Sequence, residues 1–91
     1  MAMGTPFHFS IETPSGIFIE GDDITSVEIT TDIGKLGIMA HHEPIVAACP
    51  PGLMRICQGG EWITFRTNRA ILVCDGETVK LLTPLARLAV G

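Results

Sequence analysis

Phe7, Phe9 and Ile11 alternate with His8, Ser10 and Glu12 near the start of the chain. That period of two puts the apolar side chains on one face of a strand. Thr13-Pro14-Ser15-Gly16 follows as turn chemistry, and Ile17 to Glu20 reads as a second short strand ended by Gly21-Asp22-Asp23. Ile24 to Thr31 is rich in β-branched residues, with Thr25, Val27 and Ile29 on one face, and makes a third. Past a turn at Gly34, Leu36 to Met39 and Ile45 to Cys49 are brief strands bounded by Pro44 and by Pro50-Pro51-Gly52. Proline has no amide to give a central ladder, so these prolines mark edges. Leu53 to Gln58 and Glu61 to Thr67 flank Gly59-Gly60, and Ala70 to Cys74 and Thr78 to Thr83 flank Asp75-Gly76-Glu77. Both links suit tight hairpins.

Strand signals at this spacing, with no long amphipathic helical pattern before Pro84, predict an all-β fold: a flattened β-sandwich or barrel of about eight to ten short strands. Residues 1–84 form the sandwich and residues 85–91 a tail. Leu85, Arg87 and Leu88 in that tail suggest the start of a helix, too short to hold alone. Ala70-Ile71-Leu72-Val73-Cys74 is apolar on both faces, which suits a strand covered by sheet on one side and by a partner or a second sheet on the other.

Composition sharpens that last point. Ninety-one residues make one domain with a thin core. Apolar residues reach 46% while charged ones make only 18%, so part of the apolar excess is available to a partner. The net charge of -4 and six scattered Lys and Arg argue against nucleic-acid binding. Cys49, Cys57 and Cys74 form no Cys-x-x-Cys pair and sit in apolar stretches, as buried thiols of a reducing compartment do. The N-terminus, Met1-Ala2-Met3-Gly4-Thr5-Pro6, lacks the charged and apolar regions of a secretion signal, so the expected location is the cytoplasm.

Few residues carry candidate chemistry. His41-His42-Glu43 has metal-ligand types, and a small cupin-like, metal-dependent β-barrel enzyme using all three is the alternative reading. Adjacent strand residues point to opposite faces, however, and the His-x-His pair and later Glu of such a site are missing. Gly34-x-x-Gly37 lacks the following Lys-Ser or Lys-Thr of a phosphate loop. Trp62, with Thr64 and Arg66 on its face, is either an exposed anchor or a cap on the core; the high average burial of Trp favours the core.

Thr13-Pro14 after the first strand, Gly21, Gly34-x-Leu36-Gly37-Ile38, His42-x-Pro44, Pro51-Gly52, Arg55-Ile56 and Val79-x-Leu81 occur in a telling order. Together they make the chain resemble the N-terminal β-sandwich domain of the epsilon subunit of F-type rotary ATP synthase, called delta in mitochondria. The likeness runs from about Phe7 to Leu85. Gly34 and Gly37 are expected to turn the backbone sharply, and the prolines to stiffen the corners.

The resemblance implies a non-catalytic rotor part without a cofactor, coupling ion translocation to ATP synthesis or hydrolysis. It implies docking beside the gamma subunit, near Thr13 and His42, and on the c-ring of the membrane sector at the end carrying Thr31, Asp32 and Lys35. Membrane contact is then peripheral, made only through the complex. Lys35 stands where the family usually has Glu, Arg69-Ala70 replaces a usual Gly-Gly pair, and Val73 replaces a usual acidic residue. The two-helix hairpin that family members commonly carry after the sandwich is absent from these 91 residues, and with it the hairpin's regulatory roles.

Overall fold

A computed structural model describes residues 4–89, and among these it has nine strands and no helix. In chain order they are β1 (Phe7–Thr13), β2 (Gly16–Thr31), β3 (Gly34–Ile38), β4 (Ile45–Cys49), β5 (Gly52–Gln58), β6 (Glu61–Thr67), β7 (Ala70–Cys74), β8 (Thr78–Leu82) and β9 (Ala86–Leu88). Hydrogen bonding links them as β4-β7-β8-β1-β2-β5-β6-β9, with β3 also on β2. Every pairing is antiparallel except β1 beside β8.

The two strands expected between Ile17 and Thr31 are one strand of 16 residues. Laid straight it would span about 50 Å, yet the longest dimension of the molecule is 35 Å. It bends at a bulge, where Phe7 pairs with Ile24 but Phe9 with Gly21. Asp22 turns toward the first layer, its Oδ1 2.6 Å from His8 Nδ1, while Asp23 Oδ1 accepts from Gln58 Nε2 of the second at 2.8 Å. A Cβ on Gly21 would stand 2.9 Å from Asp23 Oδ1 and 3.2 Å from Gln58 Nε2, so a side chain here would push this hydrogen-bonded pair aside. The first half of β2 thus joins β4, β7, β8 and β1, and its second half joins β3, β5, β6 and β9 in the facing layer.

The alternation read from the sequence packs between these layers. Phe9, Ile11, Val27, Ile38, Met54, Ile56, Leu72 and Leu81 are each no more than 2% exposed. Trimming one of them, as in Ile11→Ala, would cost about 2–5 kcal/mol through lost burial and the cavity left behind. Cys49 and Cys74 are buried in the same core and Cys57 is half-buried, all three as free thiols. Burial is the first cause that raises the Cys49 thiol above its ordinary pKa, with the Asp32 charge second.

Two further expectations differ from the observed backbone. The helical start after Pro84 is instead β9, whose Ala86, Arg87 and Leu88 pair with Thr67, Arg66 and Phe65. The open edge of β6 supplies backbone partners that a six-residue helix could not supply to itself. Gly37 makes no turn: it lies inside β3, opposite Glu28, and is absent from the glycines with positive φ. Gly34, at φ +127, does the turning.

Candidate functional site

The β2–β3 turn is held from three sides. Thr31 Oγ1 donates to the Gly34 carbonyl at 2.7 Å and accepts from the Ile33 amide at 3.2 Å. The Asp32 amide donates to the Ala48 carbonyl of β4 at 2.9 Å, tying the turn to the other layer. Asp32 Oδ2 lies 3.8 Å from Arg69 Nη1, an exposed pair of small worth. Of the three residues predicted here, Asp32 and Lys35 are exposed, whereas Thr31 is 6% exposed and spends its hydroxyl on the turn. The residue the turn displays most is Ile33, 96% exposed. The sequence carried that signal as an aliphatic residue inside a turn.

Thr13 builds its own turn in the same way, accepting from the Ser15 amide at 3.2 Å and donating to the Gly16 carbonyl at 3.1 Å. It follows Glu12, which pairs with Leu82, which pairs with Ile71, which pairs with Ala48. Thr13 and Asp32 therefore flank one end of the first layer. His42 lies at the opposite end, where its carbonyl is 3.8 Å from Cys74 Sγ and Cys74 pairs with Val79. The structure does not bring Thr13 and His42 together.

Between those ends runs the outward face of β4, β7 and β8. Leu72 and Leu81 point inward at 0% exposure, so Ile71 and Leu82 point out, at 39% and 41%. Val46 on β4, opposite Val73, is 70% exposed. These residues form an aliphatic stripe that no layer of the described residues covers, one of the two outcomes that the two-faced apolarity of Ala70–Cys74 left open. Such a stripe suits a protein partner.

His41, His42 and Glu43 sit in a turn and the extended link after it, not on a strand, and His41 has a left-handed φ of 63°. His42 Nδ1 is 2.7 Å from the Glu43 carbonyl. No group of three or more His, Cys, Asp or Glu among the described residues has the geometry to hold a metal ion, so the cupin-like alternative is not favoured. Trp62 is no core cap: it is 43% exposed, with the Arg55 guanidinium carbon 4.0 Å from its ring centroid.

A family model described as the ATP synthase delta/epsilon chain β-sandwich domain matches residues 6–89. The chain belongs to this family. Its relatives include ATP synthase epsilon chain 1 of Nitrobacter hamburgensis, 35% identical over 86 residues covering 91% of this chain and 58% of that one. The epsilon chain of Caldicellulosiruptor saccharolyticus is 38% identical over 77 residues, 85% of this chain and 56% of that one. This member of the delta/epsilon family thus spans less than two thirds of the length of such relatives. In fold it matches a chain in the Euglena gracilis mitochondrial ATP synthase structure of OSCP, F1 and c-ring, with a TM-score of 0.86 at 17% identity, over 97% of this chain and 56% of the other. A chain of the Tetrahymena thermophila central stalk and c-ring matches with a TM-score of 0.77 at 13% identity, over 94% and 69%.

Proposed function

We propose that this domain is a non-catalytic rotor part of a rotary ATP synthase, coupling ion translocation to ATP synthesis or hydrolysis. It docks on the gamma subunit through the aliphatic stripe of β4, β7 and β8, and on the c-ring through the β2–β3 turn. The observation that carries this reading is the stripe itself, since Ile71 and Leu82 lie on it between the ends marked by Thr13 and His42. A gamma surface lying along the stripe reaches both ends, which explains how two distant residues serve one partner. At the turn, Asp32, Ile33 and Lys35 offer an acid, an aliphatic tip and a cation on a braced backbone. The cationic Lys35 fits a ring loop with acidic or carbonyl groups. The domain then works on the cytoplasmic side, reaching the membrane only through the complex.

Co-elution with purified gamma tests the first contact. Ile71→Glu combined with Leu82→Glu places charges on solvent-facing positions, and the expected result is a folded protein with gamma affinity at least about tenfold lower. A folded double variant that binds gamma as before would remove the stripe from the interface. For the second contact, Lys35→Glu is expected to weaken ring binding in a reconstituted complex. Unchanged ring binding would count against Lys35.

A further inference from the structure

The outward face of the second layer concentrates positive charge on an acidic chain. Lys35, Arg55, Arg66 and Arg87 all lie there, exposed, with Glu28 as the carboxylate set among them. Two cations and nine carboxylates are left for the rest of the molecule. Glu28 is engaged by Arg55, whose Nε donates to Glu28 Oε1 at 2.7 Å. Lys35, Arg66 and Arg87 have no ion-pair partner among the described residues. Moreover, Arg66 stands directly opposite Arg87 across β6 and β9, a like-charge pairing that a sheet disfavours.

The same face is grooved. A cleft of about 730 Å³ is lined by Glu28, Lys35, Gly37, Leu53, Arg55 and Thr64, among others. A second of about 340 Å³ opens beside Arg66 and Arg87. Gly37 is in the lining of the first for no reason internal to the chain. Its φ is not positive, and a Cβ there would meet nothing within 4 Å. A glycine in mid-strand weakens the strand unless a backbone must come close. Leu53 and Trp62, 51% and 43% exposed, add apolar contact on either side of Arg55.

We infer that this face is a docking groove for an acidic, partly apolar segment of a protein partner. The segment's backbone passes over Gly37, its carboxylates meet Lys35, Arg66 and Arg87, and its aliphatic groups meet Leu53 and Trp62. The charge of the remaining surface selects against a long polyanion, because nucleic acid or an anionic membrane extending past the groove meets the acidic remainder. Lys35 is shared with the proposed ring contact, but Gly37, Leu53, Arg66 and Arg87 lie apart from the stripe of β4, β7 and β8, so the groove stands or falls without the gamma contact.

The test is titration of the 91-residue chain with a fluorescent peptide of alternating Glu and Leu, alongside Lys-Leu peptide, oligothymidylate and phosphatidylglycerol vesicles. The expected result is salt-sensitive binding of the Glu-Leu peptide, with amide NMR shifts confined to β3, β5, β6 and β9. Gly37→Val fills the groove at a position with open space, and Arg66→Glu with Arg87→Glu reverses its charge. Each is expected to weaken binding at least about tenfold. Should Gly37→Val fail to fold, the arginine pair decides. Absence of peptide binding up to about 1 mM, unchanged affinity in folded variants, or equally tight binding of oligothymidylate or vesicles would overturn the proposal.

Discussion

The turns Thr13–Gly16 and Thr31–Gly34 are one device used twice. Each places a threonine hydroxyl between the amide two residues on and the carbonyl of a glycine three residues on. The glycines have φ +123 and +127, values that residues with a Cβ rarely adopt. What differs is the surroundings. Thr13 is half-buried and its turn carries Pro14 and Ser15, both exposed, at the tip. Thr31 is buried, its neighbour Asp32 is bonded to β4 of the facing layer, and the tip is Ile33. Local chemistry closes a hairpin; tertiary bonding converts one of the two closures into a fixed display of an apolar side chain.

The glycines are the part the two turns share. Gly16→Ala and Gly34→Ala are each expected to destabilise by about 1–3 kcal/mol, because both force a Cβ into the same disfavoured backbone region. Urea unfolding giving clearly unequal losses would show that the turns are not one device. Next come the threonines. Thr31→Ala strips a buried turn of its donor and acceptor and is expected to cost about 1–2 kcal/mol, against about 0.5 kcal/mol for Thr13→Ala at a wetter site. Equal losses in the same experiment would mean that the burial of Thr31 adds nothing to its turn. Smaller again is Arg69→Ala, expected within about 0.5 kcal/mol since its pairing with Asp32 is exposed. Hydrogen exchange should then still show the Asp32 amide protected by Ala48.

A third turn sharpens the contrast with the smallest effect. Asp75 does with a carboxylate what the threonines do with a hydroxyl, accepting from the Thr78 amide at 2.7 Å, the Glu77 amide at 2.8 Å and the Thr78 hydroxyl at 3.1 Å. The Thr78 amide first, then that of Glu77, lowers its pKa below the ordinary aspartate value. A lowered folded-state pKa stabilises above the unfolded value and ceases to as pH falls through the folded one. The stability difference between the protein and Asp75→Asn is therefore expected to shrink on acidification below the ordinary aspartate range. Thermal melts across that range check it, and a difference constant with pH would deny the carboxylate its role.

Most of the architecture was legible because alternation and turn residues act locally. Ile45–Cys49, Glu61–Thr67 and Ala70–Cys74 begin and end where the sequence placed them. The failures came where distant groups decide. Gly21-Asp22-Asp23 has the composition of a turn, but His8 and Gln58, each far along the chain, hold it as a bend within one strand. Ala86–Leu88 is a strand only because β6 offers it an edge. The candidate site was legible as a region, since Asp32 and Lys35 are exposed at the turn and Ala70–Cys74 does present an outer apolar face. Ile33 drew no reading from the sequence, and the inward-turned hydroxyl of the buried Thr31 was not legible there either, for one reason: in a turn, the sign of exposure depends on which way the closing bond points.

Strand β2 belongs to both layers, and its covalent backbone runs unbroken through the Gly21–Asp23 corner from Gly16 to Thr31. A pull at the Ile33 tip therefore enters directly at one end of that strand. From there it is shared by ladders to β3 and β5 on one side of the corner and to β1 on the other. Much of the load falls along the strand, in shear across many hydrogen bonds at once, and separating the layers would require stretching a continuous chain.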